Sequence, residues 1–383
     1  MRWILGRWIL GLVLCGGLAG PASAFDPKGF APAWELPWQE DWVTAVAFAG
    51  PKRLVAGNER GAILLYELPE KPGAEMPKPI RQFEGHTNGI TKLLVTPDGK
   101  WLLSASKDKS IRLWNLEATS TKKGQVILDS KVRERAAKKA GGKLPPLVPP
   151  VDVTVQPADR TLSEHSEWIN GFALSGDGST LLSGDDAGNV LVWDRATMTV
   201  RTRWKTKGWI FAIAASPDGK QAVVTERIPL VFDSGRYSAF KVWNIAKTEA
   251  EKDLTAVVKE SLEAAAYSPE GKFIAVGRGG EAEAGKIWIF DNDGFKKKHE
   301  MTGHLGGVND LRFSADGKHL ISCGRDTLVR IWNVADGKQV SELGKSRGGQ
   351  FKDILHSVAL SSDERWIAAG DMAGMIQVWH AKP

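Results

Sequence analysis

Seven times along this 383-residue chain an apolar run closes on an aromatic residue followed by a polar one: Tyr66-Glu67, Trp114-Asn115, Trp193-Asp194, Trp243-Asn244, Phe290-Asp291, Trp332-Asn333 and Trp379-His380. The intervals are 48, 79, 50, 47, 42 and 47 residues, so a single step departs from the period. Self-similarity at such a spacing marks an array. Each unit makes one supersecondary element and buries its faces against its neighbours.

One unit runs Gly85-His86-Thr87-Asn88-Gly89-Ile90, Thr96-Pro97-Asp98-Gly99-Lys100, Leu102-Leu103-Ser104-Ala105 and Ile111-Arg112-Leu113-Trp114-Asn115. Another runs Gly303-His304, Val308, Ser314-Ala315-Asp316-Gly317-Lys318, Leu320-Ile321-Ser322 and Val329-Arg330-Ile331-Trp332-Asn333. The apolar stretches have strand length and composition. Pro-Asp-Gly and its variants between them are hairpin chemistry, because proline presets φ, aspartate caps the turn and glycine accepts positive φ. On the strand that ends in Trp, Ile111 and Leu113 point one way and Trp114 the other. A strand apolar on both faces belongs to a sheet covered on both sides. A ring of four-stranded blades meets that demand, so the expected fold is all-β, a seven-bladed β-propeller over residues 25–383.

Every earlier repeat leaves ten or more residues after its aromatic for an outer strand, whereas only His380-Ala381-Lys382-Pro383 follow Trp379. The segment around Ala33-Trp34-Glu35-Leu36 is expected to supply the missing fourth strand and remove an exposed edge.

The first 24 residues read as a targeting segment. Arg2 and Arg7 flank the start, Trp8 to Ala19 are uncharged and largely apolar, and Ala22-Ser23-Ala24 offers a small-x-small cleavage pattern. The run is too short for an ordinary spanning helix, which favours a secretory signal over an uncleaved anchor. Leu14 before Cys15 disfavours a lipid anchor. The mature chain is therefore expected to be exported, periplasmic or secreted, with no membrane span. Cleavage leaves Cys323 alone in the apolar run Leu320–Gly324, where it reads as a small buried hydrophobe. Two cysteines exclude a disulfide scaffold and any Cys-based zinc or iron–sulfur site.

The formal charge of +6 is not spread over the body. Two basic residues lie in the signal, and residues 117–157 hold eight Lys/Arg against four Asp/Glu, which accounts for the remainder. No nucleic-acid partner is expected from such a distribution.

The repeated units resemble the WD40-repeat family, specifically an exported bacterial WD40 β-propeller, over nearly all of residues 30–380. In that family a His, a Ser, a turn Asp and the strand Trp form a hydrogen-bonded structural tetrad. The resemblance implies His86, Ser106, Asp108 and Trp114 in the second blade, and His304, Asp326 and Trp332 in the sixth, where Gly324 replaces the Ser. In the third blade Glu164-His165 stands in place of Gly-His, and the fourth and fifth lack the His, so packing must hold them.

The long second interval contains the insertion at 117–157. Lys131–Ala140 is basic and Ala-rich, suited to a short helix, and Leu144–Pro150 is a polyproline-type spacer. Gln125–Asp129 and Asp159–Ser163 compete for the second blade's outer strand. Leu162 lies three residues before His165, as Phe83 does before His86 and Met301 before His304, which favours the latter. The insertion itself is either a solvated loop or a docking element.

Exported propellers include hydrolases, lactonases and quinone-dependent dehydrogenases, so a site assembled from several blades is the alternative to a binding module. The sequence offers no support for it. His299, His319, His356 and His380 show no ligand spacing, and no Gly-x-Ser-x-Gly, P-loop or His-Glu-x-x-His motif is present. The expectation is a non-catalytic protein-binding scaffold without cofactor or metal, monomeric by itself. The residues that precede the innermost strands are Trp42, Gly89, Trp168, Trp209, Ser261, Gly307 and Ile354. The resemblance places this position on the face where partners dock, and exposed Trp is a typical interface anchor. Lys107 and Arg325 fall near the same rim, and the connection from Arg227 to Phe240 carries Arg236 and Tyr237 as further candidate contacts to an acidic or aromatic partner surface.

Overall fold

The computed structural model describes residues 25–38, 41–73, 75–128, 150–227, 238–280, 284–345 and 354–382. It is a seven-bladed β-propeller. β1 is Phe30–Pro37, and the first blade follows with β2 (Val43–Ala49), β3 (Arg53–Asn58), β4 (Ile63–Glu67) and β5 (Pro79–Glu84). β6 (Ile90–Val95), β7 (Trp101–Ser106) and β8 (Ile111–Asn115) begin the second. Then come β9 (Lys123–Val126), β10 (Val151–Pro157) and β11 (Arg160–Leu162). The third blade has β12 (Ile169–Leu174), β13 (Thr180–Asp185), β14 (Asn189–Asp194) and β15 (Thr199–Lys205). The fourth has β16 (Trp209–Ala215), β17 (Gln221–Arg227), β18 (Ser238–Asn244) and β19 (Glu249–Asp253). β20 (Leu262–Tyr267), β21 (Phe273–Arg278), β22 (Gly285–Asp291) and β23 (Lys297–His304) make the fifth. β24 (Val308–Phe313), β25 (His319–Gly324), β26 (Leu328–Asn333) and β27 (Gln339–Gly344) make the sixth, and β28 (Leu355–Leu360), β29 (Trp366–Asp371) and β30 (Met375–Ala381) the last.

Local chemistry sets the hairpins. Gly99 and Gly317, in the turns between first and second strands, take φ of 70° and 68°, which a side chain would strain. The third strands are buried on both faces, as their sequence requires: Ile111, Leu113 and Trp114 are all sealed, and so are Val329, Ile331 and Trp332. Their side chains fill the spaces between adjacent blades.

Closure is antiparallel pairing of β1 with β30, from Phe30 opposite Ala381 to Pro37 opposite Met375. Trp34 stacks on Trp366 at 5.5 Å between ring centres, and Leu36 and Trp38 are fully buried in the cluster shared by the first and last blades.

The insertion departs from the loop reading. β11 does pair with β8 as the second blade's outer strand. The ends of the insertion, however, form a hairpin of β9 and β10 that extends the first blade to six strands, with β10 parallel to β5. The physical cause is visible in β10, where Val151, Val153 and Val155 alternate with Asp152 and Thr154. Val153, Val155 and Val126 are buried with Tyr66 and Leu68, which the four-stranded blade leaves open. The proposed helix at Lys131–Ala140 and most of the spacer Leu144–Pro150 lie outside the described residues, as does the signal segment.

Leu36→Ala is expected to cost about 2–5 kcal/mol of stability in urea unfolding. Deletion of residues 25–40 should cost more, since it also strips Trp366 and the outer edge of β30. A truncated chain that melts like the intact one contradicts closure by β1.

Candidate functional site

The seven innermost strands start together at one mouth of the central channel, and residues near their starts ring a cavity of about 570 Å³. Its wall carries Trp42, Phe211 and His356 as ring systems, Lys92, Lys107 and Arg325 as cations, and Glu59 and Glu263 as acids. Lys92 Nζ lies 3.0 Å from Asp310 Oδ1 beneath this cavity, an ion pair from the second blade to the sixth. Asp310 Oδ2 accepts from Ser357 Oγ at 3.0 Å and from the Val358 N–H at 3.1 Å, and Ser357 Oγ accepts the Val46 N–H at 3.3 Å. Burial opposes the charge on Asp310, but Arg312, Lys92 and the Val358 N–H outweigh it and hold the carboxyl below its ordinary range. The belt joins blades six, seven, one and two beneath the mouth.

Trp42, Trp168 and Trp209 are 38%, 44% and 45% exposed. Trp42 lines the cavity and stacks on His356 with ring centres 6.1 Å apart. Lys107 Nζ stands 5.3 Å over the Trp168 ring while pairing with Glu59. Arg325 also lines the cavity, with Nη2 3.8 Å from Glu263. Trp209 does not line it: the residue sits at the outer start of β16 opposite Arg227, whose guanidinium lies 5.3 Å from the Phe211 ring. Arg236 and Tyr237 fall outside the described residues. The channel-facing partners Lys92, Phe211, Glu263 and His356 were not singled out from sequence. They share one signal, being the second or third residue of an innermost strand. Burial, then Arg325, Lys107 and Lys92, hold the His356 imidazole down to about 4, so it is neutral near pH 7.

The tetrads differ from expectation in one member. His86 Nδ1 is 2.7 Å from Asp108 Oδ2, but its Nε2 meets Ser104 Oγ at 2.6 Å, not Ser106. Ser106 Oγ instead donates to the Asn88 carbonyl and accepts the Asp108 N–H. In the sixth blade Ser322, not the position of Gly324, bridges His304 Nε2 at 2.7 Å and Trp332 Nε1 at 2.8 Å, with Asp326 on Nδ1 at 2.8 Å. The third blade has a full set: His165, Ser183, Asp185 and Trp193. Strand geometry explains the correction. Trp114 lies opposite Leu102 and Trp332 opposite Leu320, so the serine two residues further on is the diagonal neighbour. Another two residues add about 6.6 Å and pass out of reach. The serine follows the His by 18 residues in all three blades, a constant spacing that marks it. In the second blade Trp114 Nε1 finds no partner among the described residues, so that tetrad is one bond short.

Among the described residues no group of three or more His, Cys, Asp or Glu is arranged to hold a metal ion, and no helix is long and apolar enough to cross a membrane. Cys323 is buried, and burial pushes its thiol well above the ordinary range.

The family model for the WD domain, G-beta repeat (WD40), matches four segments: residues 77–115, 158–194, 295–333 and 342–380. The chain is 23% identical over 313 residues to MST50-interacting protein 11 of Pyricularia oryzae, covering 76% of this chain and 94% of that protein. It is 25% identical over 310 residues to the small ribosomal subunit protein RACK1 of Candida albicans, covering 76% and 93%. Apoptotic protease-activating factor 1 of Rattus norvegicus aligns at 23% identity over 73% of this chain but 25% of its own length. These relatives are eukaryotic and lend nothing to a bacterial, exported origin.

Ser183→Ala should cost about 1–3 kcal/mol in denaturant unfolding, since it strands His165 Nε2 and Trp193 Nε1 in the interior. His356 sets a pH dependence. The folded chain keeps it neutral down to about pH 4, whereas the unfolded chain takes up a proton near the ordinary value of about 6.5. Stability from this group is therefore full above about pH 6.5 and is lost as the pH falls towards 4. His356→Gln should flatten that limb of the stability–pH curve, read from urea midpoints.

Proposed function

We propose that this propeller, which carries WD40 repeats, is a non-catalytic protein-binding scaffold acting outside the cytoplasm, with its partner seated on the upper mouth of the channel. The observation that carries the reading is the exposure of Trp42, Trp168 and Trp209 on the face where the innermost strands begin. Large rigid rings left in water at one rim are anchors for association. Lys107 and Arg325 stand beside them, each already held by an acid, so their geometry is fixed before a partner arrives. A partner surface of mixed acidic and aromatic character fits that rim.

Relatives support the scaffold part of this reading alone. One is named for its interaction with MST50, and others are ribosomal-subunit RACK1 proteins. Export rests on the sequence of residues 1–24 alone. It predicts that the mature protein recovered from a cell envelope begins at Phe25, which amino-terminal sequencing reads directly.

The partner is to be captured from that envelope and its affinity measured with the purified propeller. Single Trp→Ala changes at positions 42, 168 and 209 should leave the fold intact and weaken binding by about 2 kcal/mol at the true anchors. Undiminished binding in all three variants, or turnover of a substrate by the purified protein, contradicts the reading.

A further inference from the structure

The outer edge of the third blade carries a row of cations. From Thr199 to Trp209 a base stands at every second place between Arg201 and Lys207, and the stretch holds no acid and no proline. Thr199–Lys205 is β15, the outermost strand of its blade, and no strand among the described residues pairs with its free side. Arg201, Arg203, Lys205 and Lys207 are all exposed. Arg203 and Lys205 lie opposite Leu191 and Asn189 and share one face, Arg201 precedes them at a bulge, and Lys207 follows beyond the end of the strand. Trp204 points the other way. It is buried and stacks on Trp243 at 5.3 Å between ring centres, which fixes the strand against the fourth blade. Arg203 pairs with Glu164 at 3.3 Å, both side chains more than half exposed, an arrangement worth little in water. Arg201, Lys205 and Lys207 make no ion pair among the described residues.

A charged edge repels a copy of itself, which keeps its free N–H and C=O groups from pairing with the same strand of another propeller. It accepts a strand of opposite sign. The chain already shows that the outer edge of a blade takes a further strand, because β10 lies along β5. We infer that β15 binds an extended acidic segment of a partner protein as a fifth strand, with Asp or Glu at alternate positions facing Arg203 and Lys205. Alternate residues of a strand lie about 6.6 Å apart on one face, so the two rows of charge keep step. Opposite charges on paired strands attract, and main-chain bonds add affinity. A nucleic acid could meet the charges but has no ladder of donors and acceptors for the edge. The stripe runs by way of Lys207 to the exposed Trp209 on the upper rim, so an apolar residue beyond the acids finds a ring there. The inference rests on the scaffold reading for the existence of a partner and adds the chemistry of one of its segments.

A fluorescein-labelled peptide of alternating Glu and Thr, about eight residues long to span β15, is titrated into the purified propeller and followed by anisotropy. It should bind saturably, and more weakly in about 0.5 M salt. The same peptide methylated on every backbone nitrogen keeps its charge, loses its ladder donors and should not bind. Lys205→Glu breaks no ion pair of the fold, so its melting temperature should hold while peptide binding weakens about tenfold. Trp42→Ala should bind the peptide like the native chain, so failure at this edge and failure at the upper mouth are distinguishable. No saturable binding, equal binding of the methylated peptide or of an oligothymidylate of equal charge, or native affinity in Lys205→Glu overturns the inference. Self-association of the propeller that Lys205→Glu abolishes, seen in sedimentation, would assign the edge to a second copy and overturns it as well.

Discussion

A propeller has no fixed channel until its ring is closed, and here closure is the pairing of β1 with β30. Without it the last blade ends on an open edge, and Trp366, Leu36 and Trp38 lose the cluster in which they are buried. Every blade packs only on its two neighbours, so a gap at one joint frees both flanks. The distances across the channel follow from that joint. Lys92 reaches Asp310 across blades one and seven, the two that β1 ties together.

That central belt gives the channel two different ends. Above it the innermost strands begin with rings, amides and charges, and below it they finish on Phe48, Leu94, Leu174, Tyr267 and Leu360. Cations and acids at the upper mouth are paired before any partner arrives. Preorganised charge suits recognition of a surface.

The insertion shows how a blade tolerates added chain. β10 finds a free edge on β5 and a patch of uncovered apolar surface at Tyr66 and Leu68, and its three alternating valines cover both. The new edge, β9, is four residues long and begins with Lys123, features that discourage further strand addition.

Much of this was legible in the chain. The repeat fixed the number of blades, the turn residues their hairpins and the two-faced Trp strands their burial. Ser104 and Ser322 were missed because a serine was sought beside the turn, although the constant spacing from the His pointed to the strand. The hairpin of β9 and β10 was missed because charge and proline drew attention away from Val151, Val153 and Val155. Other features were beyond sequence. Lys92 and Asp310 are 218 residues apart, and nothing local tells either which charge it will meet. Periodicity is a property of neighbours along the chain, so the sequence by itself determined the blades. The belt and the rim around Trp42 depend on which strand ends converge when seven blades close, and only the tertiary structure decided that.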